Sequence, residues 1–270
     1  MKIGKTMQSI IMASLMGYFS LVGGLYVAQR SLLYHPDQTI PLPSDYDVAQ
    51  MDVVRIKGSD NVELHAWWSP PKKGQSSLVH FHGNAGHIGD RAHKIKDLIS
   101  KGYGVLLMSY RYNANVAGAP TEAALIADGR HALKWLESQS ILPPNITLYG
   151  ESLGSGVAVA LAAENDIKSL ILEAPYSSVA EVAQSTYWFV PAYWLVKDKF
   201  NSVERIDDVR APILIVHGAQ DKTIPVKFGE KLFSAAHGGA KFIKVDDAGH
   251  ANLYDYGMGD IVHDFLDTLN

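Results

Sequence analysis

The stretch Ile146-Thr-Leu-Tyr-Gly150-Glu-Ser152-Leu-Gly154-Ser-Gly156 decides how this chain folds. Ile146 to Tyr149 suit a strand buried on both faces, and Val157-Ala-Val-Ala-Leu-Ala-Ala163 suits a buried helix. Between them stands G-x-S-x-G, the pattern of a nucleophile elbow, whose tight turn strains the serine backbone and lifts its Oγ above the sheet. Gly150 and Gly154 are expected there because a side chain at either would meet the turn or the neighbouring strand. A plainer reading makes Ser152 the N-cap of a Gly-rich helix start. The flanking strand and helix favour the elbow.

A serine hydroxyl is a poor nucleophile near neutral pH, so an elbow implies a histidine base and an acid that orients it. In doubly wound hydrolases they follow in the order serine, acid, histidine, each on a loop after a strand. Ile213-Leu-Ile-Val-His217-Gly-Ala-Gln-Asp221 supplies Asp221, and Phe242-Ile-Lys-Val-Asp-Asp-Ala-Gly249-His250 supplies His250. Glu173 also ends an apolar run and is the alternative acid, whereas Asp246 and Asp247 lie too near His250 in sequence to orient its ring easily. The tetrahedral oxyanion needs backbone donors. His82-Gly83-Asn84-Ala85-Gly86 follows the run Leu78 to Phe81 and assigns one donor to Asn84; Leu153, next after the nucleophile, supplies the other. His80 and His82 share a strand face but have no Asp or Cys at ligand spacing, so neither metal nor cofactor is expected.

Outward from the elbow the chain alternates short apolar runs with helical stretches. The expected strands are Leu78 to Phe81, Val105 to Ser109, Ile146 to Tyr149, Ser169 to Leu172, Ile213 to His217 and Phe242 to Val245. Helices are expected over Arg91 to Ser100, Thr121 to Gln139, Leu153 to Glu164, Val226 to Ala236 and Tyr254 to Leu269. This rhythm predicts an α/β fold, a mostly parallel doubly wound sheet with helices on both faces. Val53 to Ile56 and Val62 to Trp68, joined by Gly58-Ser-Asp-Asn61, read as an antiparallel hairpin at the sheet edge. The connection at about 174–212 is too long for a simple crossover and is expected to form a small cap. Its aromatics, Tyr187-Trp-Phe189 and Tyr193-Trp194, are expected mostly to pack that cap onto the sheet; the other reading has one or two of them lining an acyl pocket or touching a membrane.

With 270 residues, 47% hydrophobic and 19% charged, the chain suits one sizeable domain and is not disordered. A net charge of -4 and no basic stripe argue against a nucleic-acid partner. With no cysteine, disulfides, Cys-ligated metals and a thiol nucleophile are excluded. From Met7 to Val27 no charge occurs, and a helix of about 21 such residues reaches roughly 31 Å, enough to span a bilayer. Lys2 and Lys5 precede the run and only Arg30 follows closely, so the positive-inside bias places the N-terminus in the cytoplasm and the domain outside. A cleaved signal peptide is the competing reading, opposed by the length of the run and the lack of a small-x-small site before Gln29. The expected organisation is an anchor over 1–29, a proline-bearing collar over 30–50 and the catalytic domain with its cap over 51–270.

Taken together, Leu32-Leu-Tyr-His-Pro36, His82-Gly-Asn-Ala-Gly86, Ser109-Tyr-Arg-Tyr112, Gly150-Glu-Ser-Leu-Gly154, His217-Gly-Ala-Gln-Asp221 and Gly249-His250 resemble the α/β-hydrolase superfamily. More narrowly, they resemble its Bem46-like, membrane-anchored serine hydrolases. The resemblance runs from about residue 32 to the C-terminus, and the N-terminal anchor fits it too. One departure is Arg111-Tyr-Asn-Ala-Asn-Val-Ala-Gly118, where relatives continue with Gly-Tyr-Gly and a serine, so family substrate preferences are not carried over. The reading is a hydrolase of esters or thioesters, acting on a small-molecule or lipid acyl substrate, with a membrane surface as one place of action. An amidase or peptidase would use the same machinery. A tethered binding protein on a hydrolase fold would be expected to lack a triad member, and none is missing.

Overall fold

A computed structural model describes residues 4–58, 60, 62–116 and 118–269. Lys2, one of the basic residues preceding the apolar run, Ser59 and Asn61 of the expected turn, and Ala117 of the departing loop lie outside the described residues. The strands are β1 (Asp52–Lys57), β2 (Glu63–Ser69), β3 (Ser77–Phe81), β4 (Gly104–Met108), β5 (Ile146–Glu151), β6 (Ser169–Glu173), β7 (Ile213–Gly218) and β8 (Lys241–Val245). They form one sheet in the order β1-β2-β4-β3-β5-β6-β7-β8. β1 and β2 make the antiparallel hairpin at one edge, β2 runs antiparallel to β4, and every other pairing is parallel.

The helices are α1 (Lys5–Leu33), α2 (Ala92–Ser100), α3 (Glu122–Ser138), α4 (Leu153–Glu164), α5 (Val179–Thr186), α6 (Ala192–Leu195), α7 (Lys227–Ala235) and α8 (Met258–Asp267). Strand alternation divides the core between two layers. Val79, Phe81, Leu106, Met108 and Leu148 pack with α3, α4 and α7. Leu78, Val105, Leu107 and Tyr149 pack with α2 and α8. The sequence of each helix matches its layer. α2 and α8 bury one stripe, Ala92, Ile95, Leu98 and Ile99 in the first and Met258, Val262, Phe265 and Leu266 in the second. α4 buries every residue from Leu153 to Ala162, which explains a composition apolar on all sides. The α/β architecture read from the sequence is the one observed.

Two expectations change. α1 continues past Gln29 to Leu33, because nothing in Arg30-Ser-Leu-Leu33 opposes a helix until Pro36 disfavours helical backbone at His35. Three of the five cap aromatics do not pack onto the sheet, while Tyr187 and Tyr193 are half-buried. Trp188 and Trp194 are 78% and 77% exposed and Phe189 is also exposed, because α5 and α6 sit beside α1 and turn these rings outward. α1 is long and apolar enough to cross a membrane. Its second half is bound to the cap. The Tyr18 hydroxyl donates to the Phe189 carbonyl (3.2 Å), the Lys197 N–H donates to Gln29 Oε1 (2.7 Å), and Arg30 donates to both Asp198 oxygens (2.8 and 3.3 Å).

Candidate active site

Every candidate residue lies just beyond the carboxyl end of a parallel strand, around the β3/β5 junction where the strand order reverses and ligand sites gather in open α/β sheets. β5 ends at Glu151 and passes directly into α4 through Ser152, whose φ of 49° and ψ of -116° are rare for a residue with a side chain. The glycines are steric. A Cβ at Gly150 would lie 2.6 Å from Ser155 Cα, and one at Gly154 would run into the Phe81 carbonyl at the end of β3. The close approach of α4 to β3 therefore needs a bare backbone.

Ser152, His250 and Asp221 come together in one hydrogen-bonded line. Asp221 Oδ2 lies 2.7 Å from His250 Nδ1, and a carboxylate can only accept there, so Nδ1 carries the proton. His250 Nε2 is then an acceptor for the Ser152 hydroxyl, 2.9 Å away. The other Asp221 oxygen accepts from the Thr223 and Ile224 N–H groups, both at 2.8 Å. Burial pushes the Asp221 carboxyl up, but bonds from His217, His250 and the Ile224 N–H outweigh it and hold the group well below the usual carboxylate range. Asp221 is a fixed negative charge facing the histidine.

Glu173 is engaged elsewhere. Its carboxylate accepts two bonds from Lys94 Nζ, both at 2.9 Å, and one from the Tyr149 hydroxyl at 2.6 Å. Lys94 also donates to Glu151 at 2.8 Å, and Arg91 donates to Glu151 at 2.9 Å, giving a buried group of two cations and two anions beneath the elbow. Desolvation favours neutral Glu151, yet Lys94 and Arg91 hold it well below the ordinary carboxylate range.

The loop after β3 borders the serine, since a Cβ on Gly83 would lie 3.6 Å from Ser152 Cβ. Neither the Asn84 N–H nor the Leu153 N–H meets an acceptor among the described residues. The Asn84 side chain points away, its Nδ2 donating to the Leu33 carbonyl at 2.9 Å, and the Asn84 backbone carbonyl accepts from the His35 N–H at 3.2 Å. The last residue of α1 thus holds this loop. The departing loop holds it too, because Asn113 donates to the Gly86 carbonyl at 3.2 Å and accepts from the Asp37 N–H at 2.9 Å. His80 stacks on Tyr149 with ring centroids 4.7 Å apart, and burial keeps both His80 and His82 neutral, His82 down to about 3.

Sequence reading passed over three contributors. His217 Nε2 lies 2.8 Å from the Ile224 carbonyl, which requires a proton there, and 3.2 Å from Asp221 Oδ2. Its placement at the end of an apolar strand, four residues before the acid, was the available signal. Glu151, a carboxylate inside an otherwise apolar elbow, signalled a buried cation. The Leu33 contact had no local signal.

The fold and this arrangement are those of an α/β-hydrolase. A Pyrococcus furiosus esterase structure superposes with a TM-score of 0.72 over 88% of this chain and 99% of its own, at 20% identity. No family model matches the chain. Among curated proteins, an uncharacterised protein of Mycobacterium tuberculosis is 37% identical over 231 residues, 84% of this chain and 82% of its own. Protein bem46 of Schizosaccharomyces pombe is 28% identical over 79% of this chain and 77% of its own. The lysophosphatidylserine lipase ABHD12 of Macaca fascicularis is 32% identical over 59% of this chain and 45% of its own. The chain belongs to the Bem46-like family of α/β-hydrolase enzymes.

Proposed function

We propose that this protein is a serine hydrolase that cleaves carboxylic ester or thioester bonds, with Ser152 as nucleophile, His250 as base and Asp221 as orienting acid. The observation that carries the reading is the Ser152–His250–Asp221 line at 2.9 and 2.7 Å. In the first half-reaction Ser152 Oγ attacks the acyl carbonyl while its proton passes to His250 Nε2. The tetrahedral oxyanion accepts bonds from the Asn84 and Leu153 N–H groups. Collapse breaks the bond to the leaving alcohol or thiol, which takes the proton from His250 and departs. Water then gives a proton to His250, attacks the acyl-serine and releases the acid with Ser152 restored.

The substrate is an acylated amphiphile at a membrane surface. That part rests on an apolar helix bound to the cap and on a relative named as a lysophosphatidylserine lipase. Residues 1–29 serve as a retained anchor, 30–50, which begin with the last turn of α1, as its connection and 51–270 as the catalytic domain with a cap at about 174–212, facing away from the cytoplasm. The test is fluorophosphonate labelling of the full chain followed by turnover of a nitrophenyl butyrate ester. Wild type labels and turns over, and Ser152→Ala does neither while keeping its circular dichroism spectrum. Undiminished labelling of folded Ser152→Ala protein would remove Ser152 from the role.

A further inference from the structure

Between α1 and the cap lies a groove of about 270 Å³, outside the Ser152–His250–Asp221 line. Val22, Leu25 and Leu33 of α1 form one wall, and Val179, Val182 and Val190 form the other. Of the polar side chains on the lining, Gln29, Arg30 and Asp198 bond to the cap backbone or to each other, Thr186 donates to the Val182 carbonyl, and Tyr26 and Tyr187 bring mostly ring carbon, so the lining suits hydrocarbon.

The position of the groove says what fills it. The cap meets α1 at Tyr18, nine residues before the end of the uncharged run at Val27, or about 14 Å along the helix. In a hydrocarbon layer about 30 Å thick, that contact lies near the midplane when α1 spans it. The cap tip with its exposed Trp188, Phe189 and Trp194 is then immersed in one leaflet. Lys197 stands 4.3 Å from the centroid of the Tyr26 ring and Lys199 stands 5.5 Å from that of Tyr193, a pairing of cations and phenols suited to the headgroup level. What surrounds the groove at that depth is lipid tail. At its other end Leu33 lines the groove and holds Asn84 through its carbonyl, which brings the groove to the loop beside Ser152.

We propose that the groove between α1 and the cap binds one acyl chain of a membrane amphiphile, which enters sideways from the leaflet, so that the anchor helix is itself a wall of the substrate site. The proposal deepens the esterase reading by naming where the acyl chain lies, and it rests on α1 crossing the membrane.

The test uses full-length protein in phosphatidylcholine vesicles and a lysophosphatidylcholine whose palmitoyl chain carries a diazirine. Photolysis with Ser152→Ala protein separates binding from turnover. The groove predicts labelling of Val179, Val182 and Ala183 that unlabelled lysolipid competes away, and its reduction at least tenfold by Leu25→Trp or Val182→Trp. In the Ser152 protein the same two variants lower the ratio of kcat/KM for a dodecanoate over a butyrate nitrophenyl ester at least tenfold. Labelling that is not competed at those three residues, or an unchanged ratio in both variants, overturns the proposal, and labelling of Ser152→Ala protein with no tryptophan added decides it even where a tryptophan variant does not fold. Competed labelling of Ser152→Ala protein, together with a wild type that hydrolyses no ester, would uphold the groove and sink the esterase reading. Ser152-dependent hydrolysis without competed labelling would do the reverse.

Discussion

Asp221 holds four hydrogen bonds with two oxygens, and the division of labour between them governs the site. One oxygen is pinned by the backbone of Thr223 and Ile224, which leaves the other to face His250 and His217. Asp221→Asn puts an amide where His250 Nδ1–H donates, favouring the wrong tautomer, and kcat for a butyrate ester should fall on the order of 10³–10⁴-fold. Glu173→Gln should leave kcat within about tenfold, because its partners are Lys94 and Tyr149; the opposite ranking in steady-state assays would move the acid to β6. Asp221 also contributes to stability. Its folded pKa is depressed, so the contribution is present above the ordinary carboxylate value of about 3.9 and is lost as pH falls through the folded value. Denaturant melts between about pH 4 and pH 2 should therefore show a steeper loss for wild type than for Asp221→Asn.

At the scale of elements, the elbow is a junction where β5, α4, β3 and α2 meet within a few ångströms. Lys94 of α2 joins the carboxylates that end β5 and β6. Lys94→Met leaves these two charges buried with Arg91 as the remaining cation, at a cost of about 3–5 kcal/mol in unfolding free energy. The sign of its pH dependence follows from Glu151. Lys94 and Arg91 depress that carboxyl, and without Lys94 protonation relieves the burial, so the deficit should be larger at pH 8 than at pH 5 in urea melts. Gly154→Ala attacks the same junction sterically. The added methyl meets the Phe81 carbonyl and must push α4 from β3, so the expected loss is about 1–3 kcal/mol together with most ester hydrolysis.

Of the hydrogen bonds that tie α1 to the rest of the molecule, two lie beyond Gln29: Arg30 with Asp198 on the cap and Leu33 with Asn84 beside the serine. A chain lacking residues 1–29 keeps both contacts. It should leave the membrane fraction and still hydrolyse a butyrate ester within about tenfold of the full chain, whereas the full chain should resist a carbonate wash. Deletion through residue 35 removes the Leu33 carbonyl and the His35 N–H that hold Asn84, and should lower butyrate turnover much further with little change in the far-ultraviolet spectrum. Equal activity of the two truncations would show that the helix end does not set the Asn84 loop for turnover.

What the sequence by itself determined was local and periodic. The strand runs, their alternation with helices and the steric need for Gly150 and Gly154 are written in neighbouring residues, and β1 to β8 follow them within a residue or two. The candidate site was legible as an order of loops, Asn84, Ser152, Asp221 and His250, because a parallel sheet brings the carboxyl ends of its strands to one edge. Tertiary structure alone decided the rest. Asp221 and Glu173 both end or follow apolar strands, and only long-range partners, His250 for one and Lys94 for the other, distinguish them. The hold of Leu33 on Asn84 joins residues 51 apart, and Trp188 and Trp194 face outward on a cap whose contacts with α1 come from residues far away in sequence. Side-chain types record what a residue is able to bond, but which partner it meets depends on the folding of distant segments, and no local pattern carries that information.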